Sequence, residues 1–230
     1  MSKRKQHLGL PHVDAMMQYD KIIKRKYYGR REKGPVEIEY GFERIHDLSS
    51  PLLFIKVGQN GSIYGYQNKY LKIASIQSER HERSTIVSSN PFDGSDSLGD
   101  AAEVIRECFA EAGIRTDRKV NYLGHSNGSL IAAFYAYKYA DLFKELVLVN
   151  MPVKENYWPY IVHGLESFPG KVTFVYGEDD PSYMKAMLML PVQFPNATIE
   201  VIENADHHFT EHMEAFLNLP EYFTLDEKDD

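Results

Sequence analysis

The sequence predicts an α/β protein, a mostly parallel sheet with helices on both faces. Three observations predict it. From Val36 onward, strand-like and helix-like segments alternate about six times. Several of the strand-like segments are short continuous apolar runs, the pattern of strands buried on both faces. Turn-forming Gly, Asn, Asp and Pro residues separate them.

Each element has its own justification. VEIEYGFERI (36–45) alternates apolar and polar side chains and reads as an edge strand. PLLFIKV (51–57) is a buried strand, followed by a glycine-bearing loop and a helical stretch, YGYQNKYLKIASIQSERH. STIVSS (84–89) is the next strand, stopped by Asn90-Pro91 and Asp93-Gly94. LGDAAEVIRECFAEAG (98–113) is an amphipathic helix capped by Gly113. KVNYLG (119–124) is a strand, and GSLIAAFYAYKYADLF (128–143) a helix with small residues on one face. ELVLVN (145–150), KVTFVYG (171–177) and ATIEVI (197–202) are strands, and TEHMEAFLNL (210–219) is the last helix. No internal repeat or biased linker interrupts the series. The expected organisation is one domain over residues 35–222, with a basic extension (1–34) before it and an acidic tail (223–230) after it.

Composition excludes several classes. The 230 residues include 12 Phe and 16 Tyr, so intrinsic disorder is excluded. Cys108 is the only cysteine, which rules out a disulfide scaffold and a cysteine zinc site. No apolar run has the length of a membrane span. The start has positive residues but no apolar core of signal-peptide length, so a cytoplasmic address is expected.

The net charge of −7 is unevenly spread. Residues 1–34 hold ten Lys or Arg against three acidic residues, leaving the remainder strongly acidic. Such an arm is read either as a contact for an anionic partner or as a helix docking on the protein's own acidic body. In the second case Val13, Met16, Ile23 and Tyr27 form its apolar stripe. An acidic body repels phosphates, so nucleic acid is not expected as a partner.

The sharpest feature is Gly124-His125-Ser126-Asn127-Gly128, between a strand and a helix. A serine on so tight a turn is held in a strained conformation, and glycines on both sides leave room for the chain to pass. The turn lifts the hydroxyl above the sheet and aims helix-start amides at developing negative charge. A G-x-S-x-G string would arise by chance about 0.08 times in such a chain, taking ~7% each for Gly and Ser. The flanking strand and helix therefore give the motif its specificity. A serine nucleophile needs a base, and the base needs an acid to orient it. Two later clusters offer them, each after a strand: Gly177-Glu178-Asp179-Asp180-Pro181 and Ala205-Asp206-His207-His208-Phe209.

These three motifs together resemble the α/β-hydrolase family over residues 36–219, where the triad runs Ser, then Asp or Glu, then His. The resemblance implies an α/β-hydrolase fold. It places Ser126 as nucleophile, Asp180 as the acid with Asp179 as alternative, and His207 as the base with His208 as alternative. Asp206 is then a local turn former and His125 a packing residue. An oxyanion hole would use the amide of Asn127 and one from the loop after PLLFIKV, by position Gln59, with Asn60 and Gly61 as alternatives. This chain has Val57-Gly58 where many members have His-Gly, but the donor there is a backbone amide.

No Walker lysine, G-x-G-x-x-G or metal-ligand spacing is present, so neither cofactor nor metal is expected. The gap from Met151 to Gly170 is too short for a full lid, so the site is expected to be open. Met151, Tyr157, Trp158, Tyr160 and Ile161 in that gap are either an apolar wall for an acyl group or packing under a helix. The implied activity is hydrolysis of an acyl ester or thioester through an acyl-enzyme on Ser126, with a small-molecule acyl substrate as partner. An acyltransferase, a peptidase and a non-catalytic binding protein of the same fold are the alternatives. A homo-oligomer is compatible with this sequence. Because every candidate site residue follows Val57, deletion of residues 1–30 is expected to spare catalysis.

Overall fold

The computed structural model describes residues 18–28, 34–44, 52–91, 97–114 and 118–224. Within these residues eight strands form one sheet: β1 (Lys21–Tyr27), β2 (Val36–Glu43), β3 (Leu52–Lys56), β4 (Ser84–Ser88), β5 (Val120–His125), β6 (Phe143–Val149), β7 (Lys171–Gly177) and β8 (Thr198–Ile202). Their order is β1-β2-β4-β3-β5-β6-β7-β8. The pairings β1–β2 and β2–β4 are antiparallel and the rest are parallel. Among the described residues six helices accompany them: α1 (Lys69–His81), α2 (Leu98–Glu111), α3 (Asn127–Tyr135), α4 (Trp158–Glu166), α5 (Tyr183–Gln193) and α6 (Met213–Leu217).

The central strands have continuous apolar sequences because both faces are packed. On β3, Leu52 and Phe54 point into one core while Leu53 and Ile55 point into the other. On β6, Leu146 and Leu148 alternate with Val147 and Val149 in the same way. Helices α2, α3, α4 and α5 cover the first face, and α1 and α6 the second. This alternation places every β-to-α loop at the carboxyl end of the parallel strands, where chemistry gathers in such sheets. Among the described residues no helix is long and apolar enough to cross a membrane.

Four sequence expectations are corrected. The stretch holding Ile23 and Tyr27 is not a helix but the edge strand β1, while Val13 and Met16 lie outside the described residues. Cross-strand pairing decides it. Lys24 contacts Glu37 at 2.8 Å and Glu39 at 2.9 Å on β2. Arg25 reaches Glu107 at 2.7 Å and Asp100 at 3.3 Å on α2. These cations are therefore engaged by the protein's own acids. Consequently β2 is the second strand, not the edge. The helix expected to reach residue 143 stops at Tyr135 and continues as a 3-10 turn over Ala136–Tyr139. Phe143 is drawn instead into β6, where its ring meets Tyr122 at 5.3 Å and Phe54 at 6.4 Å. The last helix is only Met213–Leu217, followed by a 3-10 turn that contains Pro220. Of the expected acidic tail (223–230), Phe223 is buried in the core, and the residues from Leu225 onward lie outside the described residues, as does Asp93-Gly94.

Candidate active site

At the end of β5 the chain turns into α3 through Ser126, whose φ is 54° and ψ −119°. This is a strained conformation for a residue with a side chain. The Ser126 N–H donates to Val149 O at 2.8 Å, and its carbonyl accepts from Ser129 N at 3.0 Å. The two motif glycines are required by close approach. A Cβ at Gly128 would stand 2.1 Å from the Lys56 carbonyl oxygen, and one at Gly124 would stand 2.6 Å from the Ser129 backbone. Only without those atoms can α3 start directly above the sheet.

Ser126 Oγ lies 2.9 Å from His207 Nε2, and His207 Nδ1 lies 2.5 Å from Asp180 Oδ2. The carboxylate can only accept, so Nδ1 holds the ring proton and Nε2 is left to accept from the serine hydroxyl. Asp180 is buried, and its other oxygen accepts the Ser182 N–H at 2.7 Å. Asp179 is exposed, and its amide donates to Ala205 O at 3.0 Å. His208 is exposed and its ring sits 5.1 Å from that of His207. Asp206 Oδ1 accepts from His208 N at 3.0 Å and Thr210 N at 2.8 Å, which closes the histidine turn. Lys69 Nζ also donates to His208 O, at 3.2 Å, and stands 4.1 Å over the Phe216 ring. Burial pulls the Lys69 ammonium down to about 8, against the pull of nearby Asp206.

No protein-family model matches the chain, and no curated protein matches it in sequence. Solved structures do match. Est1E from Butyrivibrio proteoclasticus is 15% identical with a TM-score of 0.60, over 86% of this chain and 96% of that one. A hyperthermophilic esterase from the archaeon Pyrobaculum calidifontis is 14% identical with a TM-score of 0.61, over 90% and 83%. A thioesterase domain from the curacin biosynthetic pathway is 12% identical with a TM-score of 0.55, over 87% and 99%. The chain has the α/β-hydrolase fold. At these identities the likeness speaks to the fold, and the site must be judged on its own geometry.

In this α/β-hydrolase fold the loop after β3 passes beside the serine, since a Cβ at Gly58 would lie 3.2 Å from Ser126 Cβ. The amides of Asn60 and Gly61 help to shape that loop. Asn60 N donates to Asn90 O at 2.8 Å and Gly61 N to Gly58 O at 2.9 Å. Asn127, the other expected donor, opens α3, where the first amides have no intrahelical acceptor.

The expected substrate wall is placed differently. Met151 has no exposed surface, and its carbonyl accepts from the Tyr176 hydroxyl at 2.7 Å. Tyr157 packs edge-on against Phe134 at 5.7 Å, and Trp158 against Phe194 at 6.1 Å. Met151 is thus corrected to a core residue, and Tyr157 and Trp158 have the contacts of the packing alternative, anchoring α4. A cavity of about 370 Å³ lies at the opposite end of the sheet, bounded by Leu165, Phe168, Lys171 and Phe194. It is remote from Ser126.

Sequence reasoning passed over three buried polar residues. Asn90, read only as a strand stop, donates through Nδ2 to Val57 O and to Asn127 Oδ1, both at 3.0 Å. It ties the β3 loop to the start of α3. His125, read as packing, and Asn150, not singled out, both reach the histidine turn. Their partners lie far along the chain, so no local pattern announces them.

Proposed function

We propose that the chain is a serine ester hydrolase acting on acyl esters or thioesters. The observation that carries this reading is the continuous hydrogen-bonded line Ser126–His207–Asp180 at the carboxyl end of the sheet, with the serine on a strained strand-to-helix turn. The matched solved structures include esterases and a thioesterase domain, which supports the same class.

In the proposed reaction Ser126 Oγ attacks the acyl carbon as its proton passes to His207 Nε2. Asp180 keeps the ring in the required tautomer and stabilises the imidazolium. The oxyanion takes the amide of Asn127 and, by position, that of Gln59. Collapse breaks the bond to the alcohol or thiol, which leaves with the proton from His207. Water then gives its proton to His207, and its oxygen attacks the acyl-enzyme. Collapse returns Ser126 and releases the carboxylic acid. The half-exposed serine leaves water access for that second step.

A fluorophosphonate probe followed by peptide mapping tests the reading. Label is expected on Ser126, with turnover of p-nitrophenyl or acyl-CoA substrates by wild type and loss of both in Ser126→Ala. Wild-type-like turnover by that variant overturns it.

A further inference from the structure

We propose that Asn150 and His125 are positioning residues that clamp the main-chain carbonyl of His207 and thereby aim its imidazole between Ser126 and Asp180. The inference rests on the serine hydrolase reading above and extends it to two residues outside the triad.

The His207 carbonyl oxygen accepts from His125 Nε2 at 2.9 Å and from Asn150 Nδ2 at 3.0 Å. A carbonyl has two lone pairs, so both are used and the peptide plane is pinned from two directions. Both donors come from the sheet. His125 is the last residue of β5 and Asn150 follows β6 directly, and both are buried. The histidine turn itself lies at the surface: His208, next to His207, is exposed, as are Asn204 just before the turn and Thr210 just after it. The clamp therefore transfers the rigidity of the central strands to a surface turn.

Each donor also holds a second part of the site. Asn150 Oδ1 accepts the Gly177 N–H at 2.8 Å, at the point where β7 gives way to the turn with Asp180. One amide side chain thus spans the acid turn and the histidine turn. Asn150 does so from a left-handed backbone, φ 46°, fixed by its own N–H on Val175 O at 2.9 Å. Asparagine tolerates that region better than most residues with a side chain. His125 is covalently next to Ser126, so its bond to His207 O links nucleophile and base through a single hydrogen bond. The carbonyl can only accept, so His125 Nε2 has the proton and Nδ1 accepts from the Tyr70 hydroxyl at 2.9 Å. Burial keeps the His125 ring well below the usual histidine range, which favours this neutral tautomer.

The test compares Asn150→Leu, His125→Leu and His125→Gln with wild type and with Leu190→Ala, a core change under α5. Glutamine restores an N–H near the reach of Nε2 and leucine does not. Three readouts are taken: kcat and KM on p-nitrophenyl butyrate with the rate of Ser126 phosphonylation, the thermal midpoint, and the far-downfield proton resonance of the His207 Nδ1–H. Both leucine variants are expected to lose roughly 100-fold in kcat and labelling rate with KM unchanged, the scale of a displaced catalytic group. The resonance is expected to shift or vanish in them and to return in His125→Gln together with most of the rate. Leu190→Ala is expected to lose thermal stability while keeping kcat and the resonance. If the leucine variants lose no more kcat than Leu190→Ala at an equal fall in midpoint, or keep the resonance in place, the clamp is refuted. Should Asn150→Leu not fold, the two His125 variants decide. A wild type that neither labels nor turns over defeats the hydrolase reading instead, and the resonance still decides the clamp.

Discussion

The Tyr19 hydroxyl donates to the Ile63 carbonyl at 2.6 Å, which joins the amino-terminal segment to the loop that follows β3. The Tyr19 ring lies flat over Gly41, where a Cβ would come within 2.7 Å, and meets Tyr64 at 5.6 Å. This brace acts on the chain just beyond Gly58, beside Ser126. The expectation that deletion of residues 1–30 spares catalysis is therefore replaced. Removal of residues 1–28 is expected to lower the thermal midpoint and turnover together, because it strips both β1 and Tyr19. Tyr19→Phe leaves a buried carbonyl without its donor and should cost about 1–3 kcal/mol. Thermal unfolding of both variants checks this, and a truncated protein as stable and active as wild type contradicts it.

The paired histidines are expected to behave very differently. His207 lies between Ser126 and Asp180, whereas the exposed His208 offers its backbone to Lys69 and Asp206. His207→Ala should lower kcat roughly 10⁴-fold or more, as loss of a triad base does. His208→Ala should cost far less, since its backbone contacts survive truncation. Steady-state kinetics on one ester rank the two, and the reverse ranking moves the base to His208.

Lys56 gives a pH dependence. Its ammonium is fully buried at the end of β3, donating to Ser88 Oγ at 2.9 Å and Ser89 O at 2.7 Å. Burial pulls it from 10.5 to about 7, with Asp100 opposing. Between those values the unfolded chain binds a proton that the folded chain does not, so stability rises with pH across that window. Below about 7 both states are protonated and the burial cost is felt in full. Lys56→Met removes the buried charge and should be more stable than wild type at neutral pH. Its advantage should shrink as pH rises toward 10. Urea unfolding of both proteins at several pH values tests the difference, in which other titrating groups cancel. A gap that stays constant or widens with pH refutes the assignment.

How much of this was legible depended on whether the deciding contacts were local. Strands β3, β5, β6 and β7 were readable because residues such as Leu53 and Phe54 face two cores, which makes the sequence itself apolar. The Ser126 turn was readable because Gly124 and Gly128 touch backbone only a few residues away or on the adjacent strand. Pairs such as Asp179–Asp180 were ambiguous, since adjacency says nothing of which side chain turns inward. Strand β1 was hidden because Arg25 occupies an inward position and is neutralised by α2. Helix α5 was missed because Met184, Leu188 and Val192 are exposed along it and Pro191 sits within its last turn. Apolar residues on both faces left no amphipathic signal there.

The placement of Trp158 changes what its removal should do. An acyl wall would make Trp158→Ala flatten chain-length selectivity while sparing turnover on acetate. Instead the indole packs against Phe194, and Tyr157 beside it against Phe134, so both hold α4 onto the core. Trp158→Ala should therefore lower the thermal midpoint and leave the shape of the chain-length profile intact. The profile itself follows from the short stretch between β6 and β7, in which α4 has only nine residues. Each CH₂ that stays in water forgoes about 0.8 kcal/mol of transition-state binding. Selectivity on p-nitrophenyl esters should rise over the first few carbons, where a shallow site can still cover the chain, and then level off. A kcat/KM that climbs steadily out to about sixteen carbons would require burial at ~0.8 kcal/mol for every added CH₂, and with it an enclosed tunnel that a nine-residue helix does not provide.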